Sequence, residues 1–116
     1  MTVQEVVENF RNAAIAKGDF ADAARDNKLH KEMTQSFLIL NSQGEVGRSA
    51  FKDLLRDKNN YVRAWVAAQL LSEGDSTVLP VLQEIEKSSG LLAFDAKMTI
   101  REFESGRLQS PFKGCK

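Results

Sequence analysis

The sequence predicts an all-α fold of about six helices, arranged as stacked antiparallel hairpins in an α-α superhelix. Three observations lead there. Apolar residues recur at three- and four-residue spacing along most of the chain, the pattern of amphipathic helices. Short polar clusters rich in Gly, Asn, Asp and Ser interrupt that pattern, as turns between consecutive antiparallel helices do. A small-residue motif also returns, since Val62-x-Ala64-x-x-Ala67 has a counterpart in Leu91-x-Ala93-x-x-Ala96. Alanines so spaced let helices approach closely, which stacking requires. β-branched residues are sparse and no alternating run persists, so no strand is expected.

The first helix carries Val3, Val6, Val7, Phe10 and Ala14 on one face, and Thr2 with Glu5 forms a capping-box arrangement at its start. Gly18 ends it, and Asp19 is placed to cap a long second helix running to Leu40, with Phe20, Ala23, Ala24, Met33, Phe37 and Leu40 as its apolar positions. Asn41-Ser42-Gln43-Gly44 is a turn cluster. The third helix spans about Glu45 to Arg56 and presents Val46, Ala50, Phe51, Leu54 and Leu55. Gly44 and Gly47 bracket its start and do not form a phosphate loop, because no strand precedes them and no Gly-Lys-Ser/Thr follows. After Asp57-Lys58-Asn59-Asn60, a fourth helix to about Glu73 is apolar nearly all round, with Arg63 its one charge before Glu73. Such a helix belongs between neighbours, with Tyr61 and Trp65 in the core. Gly74 ends it, Asp75 or Ser76 caps the fifth, and Pro80 sits in that helix's first turn, where a missing N–H costs little. The sixth, about Leu91 to Ser105, is expected to bury Leu92, Ala96, Ile100 and Phe103. One domain over residues 1–106 and a loosely held tail over 107–116 follow from this division.

The stretch Leu54-Leu55-Arg56-Asp57-Lys58-Asn59-Asn60-Tyr61-Val62-Arg63, continuing to Ala67-Ala68 and Leu70, resembles the HEAT repeat. That pattern has a Leu-rich first helix, an Asp in the turn and Val-Arg opening the second helix. Gly74-Asp75 before Val78-Leu79-Pro80-Val81-Leu82 looks like the link into a next unit. Asn60 stands where the pattern prefers Pro, the last unit lacks the turn Asp and the Val-Arg pair, and residues 2–41 do not match it. Over the whole chain the sequence resembles a family of small bacterial proteins with a HEAT-like helical fold. Their first hairpin is divergent and carries an Asn within its long second helix, as Asn27 does in Asp26-Asn27-Lys28-Leu29. The likeness is concentrated in residues 44–75; it implies the fold and brings no activity with it.

Acidic and basic residues number 16 each, so the formal net charge is zero, which argues against a dedicated nucleic-acid binder. Cys115 is the one cysteine, and no internal disulfide can form. The first residues lack the basic and apolar regions of a signal peptide and no apolar run could span a bilayer, so a cytoplasmic protein without a membrane role is expected. His30 has no ligand cluster beside it in sequence and reads as a surface or partner-facing residue. Cys115, with no histidine near it, lacks the activating base a nucleophile needs. No catalytic, cofactor or metal site is expected.

Asp57 and Arg63 read as structural: the carboxylate capping donors at the start of the fourth helix, the guanidinium reaching back to it or to the next repeat. Charge is uneven elsewhere. Arg48, Lys52 and Arg56 form a basic stripe on the third helix, while Glu73, Asp75, Glu84, Glu86 and Asp95 make residues 73–95 acidic. These five carboxylates are the candidate partner-binding residues, since a charged patch meeting its complement speeds association and sharpens specificity. The expected function is non-enzymatic protein binding; one concrete form is an immunity protein or antitoxin that blocks a bacterial toxin with a basic cleft. An adaptor or regulatory subunit fits equally, and nucleic-acid binding is the competing class.

Overall fold

The predicted helices form, with boundaries set by local hydrogen bonds. The computed structural model describes residues 2–18 and 22–112. In α1, Val3–Gly18, the capping box closes both ways: the Glu5 N–H donates to Thr2 Oγ1 at 3.1 Å and the Thr2 N–H to Glu5 Oε1 at 3.2 Å. The α2 helix runs Ala23–Ser42, longer at its C-terminal end than its periodicity suggested, and Asp22 caps it by accepting from the Arg25 N–H. Asp19 and Phe20, expected to open this helix, lie outside the described residues. Gly44, at φ +67°, opens α3, Gly44–Asp53, which continues as a 3-10 turn over Leu54–Arg56.

Asn59 begins α4, Asn60–Ser72, by accepting from the Tyr61 and Val62 N–H groups. Its end is a Schellman motif: at Gly74, φ +95°, the Gly74 N–H donates to the Leu71 carbonyl and the Asp75 N–H to that of Leu70. Asp75 then caps a 3-10 turn, Ser76–Val78, which leads into α5, Leu79–Glu86, with Pro80 in its first turn. The last helix, α6, is Leu91–Glu104. No strand occurs among the described residues.

Helices adjacent in sequence pair: α1 with α2, α3 and its 3-10 extension with α4, α5 with α6. The three hairpins stack through α4, which touches α1, α3, α5 and α6, as its nearly all-round apolar sequence requires. Val62, Val66, Ala67, Leu70 and Leu71 are buried there with Val6, Phe10, Met33, Leu40, Phe51, Leu82 and Ile85. The overall extents, 36 × 33 × 28 Å, are nearly equal, so three hairpins make a short stack rather than an extended solenoid. Among the described residues no helix is long and apolar enough to cross a membrane.

The segment after α6 departs from expectation. As far as Phe112 it is not a loose tail: Gly106 turns the chain at φ +76°, and residues 107–112 run back across the stack. Phe112 is 4% exposed. Its ring meets that of Phe10 edge-on at 5.7 Å and lies 5.3 Å from Phe37, 5.8 Å from His30 and 6.1 Å from Trp65. Residues 113–116, and with them Cys115, lie outside the described residues.

Candidate docking groove

The charged residues singled out from sequence are mostly engaged with each other. Asp57 and Arg63 do not pair. The Asp57 carboxylate receives Arg11 Nε of α1 at 2.7 Å and the Asn59 N–H at 2.8 Å, so it ties the α3–α4 turn to the first hairpin. Capping of α4 falls to Asn59 instead, because Asp57 stands too far upstream to reach the helix's own first donors. Arg63 reaches the next hairpin, donating to Glu84 Oε1 at 3.2 Å, and also bonds the Leu55 carbonyl and Asn60 Oδ1.

The basic stripe and part of the acidic run, which read as two surfaces, face one another. Arg48 pairs with Glu73 at 2.5 Å and Lys52 with Asp75 at 3.6 Å. Partial burial pushes the Glu73 carboxyl up, but hydrogen bonds from Arg48 and Gln69 outweigh it and hold the group below its usual range. The Thr77 hydroxyl is the main influence holding Asp75 low, and Arg63 holds Glu84 low. Glu86 is partly buried on α5, and Asp95 is exposed on α6. The five candidate carboxylates therefore do not form one patch: three are in ion pairs within the fold, and Asp95 belongs to a different surface.

His30 is also relocated. It is half-buried, with Nε2 2.8 Å from the Pro111 carbonyl and its ring 5.5 Å from that of Trp65, so it anchors the C-terminal strap. Trp65 and Tyr61, expected in the core, are only partly buried. Their outer surfaces floor a groove of about 510 Å³ bounded by α4, α6 and the end of α1.

This groove follows from helix periodicity. Tyr61, Ala64, Trp65 and Ala68 recur at i, i+3, i+4, i+7 on α4, and Asp95, Met98, Thr99 and Glu102 do so on α6. The alanines keep the floor low between the aromatic rings and the α6 rim. Gly18 closes one end against Tyr61, where an added Cβ would stand 2.7 Å from the ring. Lys17 lies beside it, with Nζ 2.6 Å from Asp26 Oδ2 and 5.6 Å from the centre of the Trp65 ring. Asp95 and Glu102 are exposed on the rim, and neither forms an ion pair among the described residues. Glu102 and the aromatic floor were not recognised in the sequence, although the seven-residue spacing of Asp95 and Glu102 already put them on one helix face.

A second groove, between α1 and α2, is walled by amides such as Asn9, Asn12 and Gln35 and holds one carboxylate, Glu32. It lacks the aromatic floor. Among the described residues no group of three His, Cys, Asp or Glu side chains is placed to hold a metal ion. Comparison with protein-family models, with curated proteins and with solved structures found no match.

Proposed function

We propose that this chain is a non-enzymatic, HEAT-like protein-binding module whose docking surface is the groove between α4 and α6. The observation that supports this reading is the groove itself: a concave, open surface with an aromatic floor and a carboxylate rim, on helices held rigid by the central stack. Trp and Tyr are enriched among the few residues that carry most of the binding energy at protein interfaces. An immunity protein or antitoxin that occupies a toxin's basic cleft is one concrete form of such a module. Nucleic-acid binding loses its main support, because Arg48 and Lys52 are already neutralised by Glu73 and Asp75.

The test is affinity capture from the cells that make the protein, with the native chain and an Asp95→Lys/Glu102→Lys variant as parallel baits. Both positions are exposed, so the variant should keep its circular dichroism spectrum and melting temperature. Proteins held by the native chain should be lost from the variant. Equal capture by both baits, or recovery of nucleic acid in place of protein, would overturn the reading.

A further inference from the structure

We infer that the occupant of this groove is a basic segment of the partner protein, with an arginine or lysine side chain laid along the aromatic floor beside Asp95 and Glu102. The inference rests on the groove being the docking surface, and it names what that surface recognises.

Charge complementarity is the first argument. Asp95 and Glu102 are separated by two turns of α6, about 10.5 Å along its axis at 1.5 Å per residue. Both project exposed carboxylates over the same concavity. The one cation among the groove's lining residues, Lys17, is already neutralised by Asp26 at 2.6 Å, so the pair on α6 leaves the rim negative.

The second argument is independent of the carboxylates. Trp65 and Tyr61 are aromatic, and aromatic rings attract cations, most often arginine. The fold already uses this property: the Lys17 ammonium sits 5.6 Å from the centre of the Trp65 ring, with its side chain only 13% exposed. A cation is thus a species that this floor accommodates within the protein itself.

The third argument is shape. The groove is open along its length and, at about 510 Å³, holds a few side chains rather than enclosing a small molecule. Leu92 and Met98 flank the carboxylates and can cover the aliphatic stem of a lysine or arginine while its charged head meets the rim. Phosphate backbones would meet like charge here.

Trp65 is the sole tryptophan, so its emission reports directly on this floor. The probe is a synthetic amphipathic peptide of arginine and leucine, titrated into the native chain beside a matched peptide with every arginine replaced by glutamine. The arginine peptide should change Trp65 emission saturably, weaken as salt rises, and bind about tenfold or more weakly to an Asp95→Asn/Glu102→Gln variant, as loss of close charge pairs gives. Arg48→Ala, away from the groove, should leave binding unchanged. Equal binding of the glutamine peptide, no response to the arginine peptide, or indifference to the double substitution would overturn the inference. Spermidine matching the peptide's affinity with the same loss in the variant would also overturn it, by making the ligand a small polycation. The two readings fail separately: a captured partner that needs Asp95 and Glu102 but docks through a segment without basic residues refutes the cation and leaves the groove standing.

Discussion

Phe112 lies six residues beyond Gly106, in a segment whose Ser, Pro, Lys and Gly content reads as a loosely held end. Its burial among Phe10, Phe37, His30 and Trp65 shows why that reading failed: a single aromatic ring can outweigh the ordering entropy of the few residues around it when a socket of other rings awaits it. No local pattern contains that socket, because its walls come from α1, α2 and α4. The ring supplies a clear expectation. Phe112→Ala should lower stability by about 3 kcal/mol, the scale for deleting a buried aromatic side chain, in urea denaturation followed by far-UV circular dichroism. The carboxylate that meets Arg63 was not legible: Glu84 lies 21 residues away and is reached only through packing of α4 on α5. Arg63→Ala should remove about 1–3 kcal/mol, chiefly because the Leu55 carbonyl and Asn60 lose a charged donor. Peptide binding at the groove should be unaffected, which a Trp65 titration checks.

At the scale of the element, helix existence and order were plain from periodicity, and most ends came within a residue or two because Gly and capping residues mark them. Equivalence between repeats was less reliable. Val62 and Leu91 occupy the same place in the recurring motif, yet Val62 is fully buried and Leu91 is 77% exposed. The difference lies in what covers them: α4 is the middle of the stack, whereas α6 lies at its end. Val46 likewise matched the apolar face of α3 but is 68% exposed, since α3 is short and turns its other side to α2. Gly47 explains how closely those two helices meet. A Cβ there would stand 1.8 Å from the Leu40 carbonyl oxygen, a backbone atom that cannot move aside cheaply. Alanine gains about 1 kcal/mol over glycine in a helix interior, while overpacking costs about 1–3 kcal/mol or more. The clash should therefore win, and Gly47→Ala should lower the melting temperature measured by differential scanning calorimetry.

For the molecule as a whole, zero net charge conceals a specific arrangement in which cations of α3 and α4 meet the carboxylates of the next turn and of α5. A linear sequence shows both signs but not their pairing, so surfaces that seemed available to partners are internal fastenings. Glu73, Asp75 and Glu84 are all held below their ordinary carboxylate range. Groups whose folded-state affinity for protons is depressed contribute stability that is fully present above their unfolded values, near pH 4, and is lost as pH falls through their folded values. Urea midpoints should thus hold steady between pH 6 and pH 5 and decline below about pH 4.5. In Glu73→Lys/Glu84→Lys the decline should flatten and the neutral-pH midpoint should drop. The C-terminal strap has a further effect on how the three hairpins respond to stress. In an open array each unit feels only its neighbours, and the end units fray first. Here Ser110 bonds Gln69 of α4, Pro111 meets His30 of α2, and Phe112 touches α1, so the chain leaving the last hairpin is fastened to the first two. The array is laced end to end, and its ends lose their independence. Hydrogen exchange should find the amides of α1 and α6 opening together, with one free energy, and ending the chain at Gln109 should split that event in two, with α6 exchanging first.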